Sequence, residues 1–103
     1  MTEAQAFYEY IRDKLCKNDG VAMGKMMSSP AVKYKGKVFT FFHNEQMTFK
    51  LGKDFEPEEQ GLQGCSYLSP FKNKPPMRAW IIVPWSEKDR WENLAQLALE
   101  KIR

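Results

Sequence analysis

The chain contains one histidine, two cysteines and no apolar run approaching the ~20 residues that a membrane span requires. Each scarcity excludes something. A metal centre needs three or four suitable ligands, and His43, Cys16 and Cys65 fall in no zinc-type spacing, so no metal and no cofactor is expected. The same two cysteines match no disulfide framework, and residues 1–20 are charged throughout rather than built like a signal peptide. A reduced cytoplasmic setting with no membrane association is expected. Gly61-Leu62-Gln63-Gly64-Cys65 matches neither a phosphate-binding loop nor a dinucleotide fingerprint. A Cys65–His43 dyad has no supporting motif, and the acidic run Asp54, Glu56, Glu58, Glu59 has no second carboxylate at a defined distance. With no catalytic constellation, the chain reads as a non-enzyme.

What is present is enough for one domain spanning residues 1–103 with one core. Hydrophobic residues make up 43%, and seven Phe, four Tyr and three Trp supply more bulk than one sheet face hides. The formal net charge of +3 is small, but its layout is uneven. From Lys25 to Lys53, six lysines (25, 33, 35, 37, 50, 53) face Glu45 alone. Lys72, Lys74 and Arg78 are basic again after the acidic run. Lys33, Lys35, Lys37, Lys50, Lys72 and Lys74 therefore form the candidate nucleic-acid or partner surface. The alternative reading is a solvated face, with Lys guarding strand edges.

The periodicities predict an α+β, two-layer domain. An antiparallel sheet of about five strands is flanked by an N-terminal and a C-terminal helix, in the order α-β-β-β-(short α)-β-β-α. Ala4, Phe7, Tyr8, Ile11 and Leu15 make the stripe of a helix over residues 3–17, stopped at Asn18-Asp19-Gly20. Residues 21–29 read as a first strand that Pro30 ends or holds at an edge, and 31–35 as a connector or a strand start. Val38–His43 and Gln46–Leu51 form a hairpin. A two- or four-residue loop pairs Phe42 with Met47, Thr40 with Phe49 and Val38 with Leu51, placing Val38, Thr40, Phe42, Met47, Phe49 and Leu51 on the core face. Glu56–Glu59 starts a short helical turn, residues 65–70 a further strand, and Ala79–Val83 a strand apolar on both faces. Ser86 to Asp89 looks like a capping box opening a helix over 87–102, with Trp91, Leu94, Ala95, Ala98 and Ile102 as its stripe.

That hairpin pattern leaves Phe39 and Phe41 opposite the core face. They are the candidate surface of a symmetric homodimer, because large uncovered apolar patches are uncommon on monomers.

The residues Met23-Gly24-Lys25-Met26-Met27, Tyr34-Lys35-Gly36-Lys37-Val38-Phe39 and Met47-Thr48-Phe49-Lys50 also carry a resemblance. It continues through Pro70-Phe71, Lys74-Pro75, the 79–84 strand and the Trp91–Ile102 helix. Over this span the chain resembles the TfoX N-terminal domain of the TfoX/Sxy family and, more distantly, YjbR-like proteins. The resemblance implies a compact domain with an antiparallel sheet and a non-enzymatic role. The founding proteins regulate competence genes alongside a cyclic-AMP receptor protein and carry a further C-terminal domain.

Three functions follow as expectations. The first is a small cytosolic interaction or regulatory module, self-associating or held by a protein partner. The second is nucleic-acid binding through the lysines, weak and non-specific because neither long helix is basic enough to serve as a recognition helix. The third is a small-molecule pocket between sheet and helix, using Cys65 or His43.

Overall fold

The computed structural model describes residues 2–26, 29–52, 55–68 and 77–103. It is a two-layer α+β fold. Helix α1 (Glu3–Leu15) precedes β1 (Val21–Met26), β2 (Ser29–Tyr34), β3 (Lys37–His43), β4 (Gln46–Lys50), β5 (Ser66–Leu68) and β6 (Met77–Val83). A 3-10 turn (Trp85–Arg90) then leads into α2 (Trp91–Ile102). The strands form one antiparallel sheet in the order β1-β2-β3-β4-β6-β5.

Sequence and structure agree closely in the hairpin. His43 pairs with Gln46, Phe42 with Met47 and Thr40 with Phe49. Asn44 and Glu45 form a two-residue loop, both at positive φ (51° and 62°), as the twist of a tight hairpin requires. Helix α1 is capped by Thr2, whose Oγ1 accepts from the Gln5 N–H at 3.1 Å. It ends at Leu15, capped by Cys16 at φ −69°, rather than at residue 17, and Gly20 at φ +85° instead turns the chain into β1, at a position where a β-carbon would lie 2.8 Å from the Tyr34 ring.

The departures have identifiable causes. The sheet has six strands rather than about five, because Ser29–Tyr34 is a full strand between β1 and β3. Pro30 is tolerated near its start, while Ala31 and Val32 are buried on opposite faces. The expected short helix after Glu56 is a hydrogen-bonded turn instead, closed by Gly61 N–H to Glu58 O and Leu62 N–H to Pro57 O. Ser86 and Asp89 form no capping box. Pro84 precedes the 3-10 turn without a side-chain cap, and Glu87 leaves helical geometry at φ −105°, ψ 25°. The α-helix therefore starts at Trp91 rather than residue 87.

The most consequential departure is a β-bulge. Val32 pairs with Thr40 but Lys33 pairs with Val38, so Phe39 is an extra residue in β3. The bulge turns Phe39 onto the same side as Phe42, where it is fully buried in the main core. Val38 is displaced to the opposite face, half-buried beside Phe41, Ala31 and Trp80. Strict alternation had assigned these two residues the other way round.

Both helices cover one face of the sheet. Ala4, Tyr8, Ile11 and Leu15 of α1 join Trp91, Leu94, Ala95, Ala98 and Leu99 of α2 over Val32, Phe39, Phe42, Met47, Phe49, Ile81 and Val83. On the other face Phe41 and Trp80 pack at 5.7 Å between ring centroids and are only 3% and 7% exposed. The Phe39/Phe41 dimer surface therefore does not exist as drawn. Phe39 lies in the core, and Phe41 is buried within its own chain.

Among the described residues, one buried side-chain polar group is unsatisfied. The Tyr8 ring stacks on Phe42 at 5.3 Å, and its hydroxyl has no hydrogen-bond partner. Burial, offset in part by Arg12, pushes the phenol up from 10.0 to about 12. Between pH 10 and 12 the unfolded chain releases this proton while the folded chain keeps it, so stability falls as pH rises. Two units correspond to about 3 kcal/mol of stability lost across this window, with none of it lost below pH 10. Tyr8→Phe is expected to stabilise the fold by about 1 kcal/mol at neutral pH, because it removes a buried unpaired hydroxyl. It should also flatten the alkaline decline, leaving the parts due to Cys65 and Cys16, whose thiols are likewise raised from 9.0. Urea midpoints at pH 8, 10 and 11.5 test this. A variant that follows the parent's alkaline decline would show that Tyr8 does not hold its proton.

Candidate functional site

Lys37 opens β3 immediately after the Lys35-Gly36 turn, and Lys50 closes β4. Because these strands are antiparallel neighbours, the start of one lies beside the end of the other, which brings both lysines to the same end of the sheet. Helix α2 packs across β3 and β4, and its last turn delivers Lys101 to that end. Together Lys37, Lys50 and Lys101, with Leu51, Gly52 and Ile102, line a cleft of about 400 Å³. All three lysines are exposed, and among the described residues none is ion-paired. The Lys50 ammonium also lies 5.9 Å from the Trp80 ring centroid. Among the described residues the lining brings together three lysines and the apolar Leu51 and Ile102, with no hydroxyl, thiol, imidazole or carboxylate side chain, while the Lys50 ammonium itself reaches toward Trp80 on the face opposite the helices. Lysines gathered in this way favour an anion electrostatically.

The other lysines of the sequence-derived surface lie elsewhere. Lys33 pairs with Val38 across β2 and β3, and its aliphatic stem covers Gly24 on β1, where a β-carbon would meet it at 3.1 Å. Lys35 sits at the turn tip at φ 48°, its ammonium 5.4 Å from the Tyr34 ring. Lys72 and Lys74 lie outside the described residues. Lys101 was not singled out from sequence. A basic residue in the last turn of an amphipathic helix reads as solvated, and only the placement of α2 over the hairpin reveals its neighbours.

The reactive groups weighed from sequence do not converge. His43 Nδ1 lies 3.0 Å from the hydroxyl of Ser29, a half-buried pairing across β2 and β3. Cys65 lines a separate polar cleft of about 410 Å³ with Glu56, Glu58, Gln63, Ser66 and Tyr67. Burial first, then Glu87, pushes its thiol up to about 11. Burial also raises Cys16. Both shifts oppose thiolate formation, the reverse of an activated nucleophile. Among the described residues no group of three or more His, Cys, Asp or Glu is placed to hold a metal, and no helix is long and apolar enough to cross a membrane.

Compared with family models, curated proteins and solved structures, the chain shows no match.

Proposed function

We propose that this chain is a non-catalytic cytosolic interaction module whose working surface is the Lys37–Lys50–Lys101 cleft, and that it recognises an anionic, phosphate-bearing partner. One observation carries the reading: lysines from three separate elements line a single cleft with no described carboxylate to neutralise them. The resemblance to TfoX N-terminal domains adds a regulatory setting, supported by the shared order of a helix, an antiparallel sheet and a C-terminal helix. Nucleic acid is the second reading. The cleft favours only a short, sequence-indifferent contact, since Lys33 and Lys35 are spent on other surfaces.

The test is titration of the protein with pyrophosphate and with a labelled single-stranded oligonucleotide across a salt series. Substituting Lys37, Lys50 and Lys101 together by glutamine should weaken binding at least ~tenfold. For the oligonucleotide, log affinity should fall with log salt at a slope of about −2, the value for three phosphate contacts to a single strand. A steeper slope that survives the substitutions would place nucleic-acid binding elsewhere on the chain. Equal binding of pyrophosphate by parent and variant, or none by either, would sink the proposal.

A further inference from the structure

A different cleft, of about 290 Å³, lies between α1 and the 3-10 turn and is lined by Glu3, Phe7, Trp85, Lys88 and Asp89. It stands apart from the lysine cleft. One borders the turn that leads into α2 and the other its last residues, and the 12 residues between span about 18 Å.

The cleft's walls are aromatic. Phe7 meets Trp85 edge-on at 6.1 Å between centroids and stacks on Tyr10 at 6.0 Å. Tyr10, 50% exposed, continues the aromatic row beyond the cleft, with the Lys14 ammonium 5.0 Å from its ring centroid. Behind these rings stands fully buried Trp91, 5.9 Å from Phe7 and 5.3 Å from Trp85, so the wall is backed by the core. Two of the lining residues are carboxylates, Glu3 and Asp89. Among the described residues neither is ion-paired, whereas Lys14 and Glu92 nearby answer each other at 3.3 Å. Aromatic faces attract cations through the negative face of the ring quadrupole, and carboxylates at the edge strengthen the attraction. The chain displays this preference itself. The Lys88 ammonium lies 4.6 Å from the Trp85 ring centroid.

We propose that this cleft receives the ammonium of a lysine side chain, free or methylated, from a partner protein, and that Lys88 is the internal occupant it displaces. Lys88 is exposed, and an exposed cation–π contact is weak, so displacement is easy. The charge favours a cationic partner, since two carboxylates face one resident lysine. The half-exposed Tyr10 supplies flat contact area for the polypeptide that carries the ammonium, as aromatic anchors do in interfaces.

The experiment follows indole N–H resonances while the protein is titrated with N-acetyl-trimethyllysine methylamide, and in parallel with the neutral norleucine analogue. The cation should give a saturable shift centred on Trp85, and the neutral analogue should not. Lys88→Ala should tighten binding by about fivefold, the scale of one partly exposed cation–π contact. Glu3→Gln with Asp89→Asn should weaken it by a comparable factor. Lys88, Glu3 and Asp89 are exposed, and unchanged melting temperatures will show that the variants fold. Equal titration by the neutral analogue would reduce the cleft to an apolar groove and overturn the proposal. So would Lys88→Ala binding no tighter than the parent, or a Trp85 resonance that never responds.

Discussion

Replacing Trp91 with alanine is expected to lower the unfolding free energy by about 3–5 kcal/mol, the usual cost of deleting a fully buried large aromatic. Trp91 begins α2 with no exposed surface. It touches every layer that has to be held together. Phe7 of α1 stacks on it at 5.9 Å, Phe42 of β3 meets it edge-on at 6.5 Å, and Trp85 of the 3-10 turn at 5.3 Å. Its indole N–H donates to the Pro84 carbonyl at 3.3 Å and ties the helix to the end of β6. The alanine variant loses the transfer free energy of the ring and leaves a cavity that three flanking rings cannot collapse to fill. Set against the ~5–15 kcal/mol of a typical domain, the loss is large. It should appear as a lower urea midpoint at unchanged slope. A midpoint that hardly moves would show that the ring does not bridge helix and sheet.

Phe41→Lys is expected to damage the fold itself, by about 4 kcal/mol or more, because the variant combines a large-to-small loss of packing with a buried ammonium that has no counter-ion. Phe41 is 3% exposed, packed on Trp80 and flanked by Ala31, Val38 and Ala79. Its cross-strand partner Thr48 is buried too, and no carboxylate stands among these residues. Phe41→Leu, which keeps most of the apolar volume, should cost far less. A dimer surface would behave in the opposite way, with the lysine variant separating two subunits and leaving each folded. Sedimentation and urea denaturation of the same samples distinguish the two outcomes. A fully stable Phe41→Lys monomer derived from a dimeric parent would restore the surface drawn from strand alternation.

The hairpin, the first helix and the apolar sixth strand were legible in the residues because their determinants are local. Alternation from Thr40 to Phe42 and from Met47 to Phe49, with a two-residue loop between, leaves one register that buries one face. The stripe through Ala4, Tyr8, Ile11 and Leu15 suffices to orient α1, while its ends, the Thr2 cap and Cys16, emerge only in the structure. Ala79–Val83 announced burial on both faces by having no polar residue, and Trp80 and Ile81 do join different clusters.

What the residues alone did not determine depends on neighbours distant in the chain. The bulge at Phe39 exists only because β2 pairs on both sides of it. No period within β3 announces it, yet it moves Phe39 into the core and Val38 out of it. The choice between one helix on each face and two on the same face is a matter of packing, since each amphipathic stripe asks only for some apolar partner. Packing also decided the candidate sites. The hairpin brings Lys37 and Lys50 to one end of the sheet, and Lys101, distant in the chain, joins them because α2 ends over the start of β3 and the end of β4. Glu3 and Asp89 meet at the other end of the same helix for a similar reason, as the starts of α1 and α2 pack side by side through Phe7 and Trp91. Local propensity sets which segments are helix or strand, whereas the grouping of charged side chains follows from where the hydrophobic layers bring those segments together.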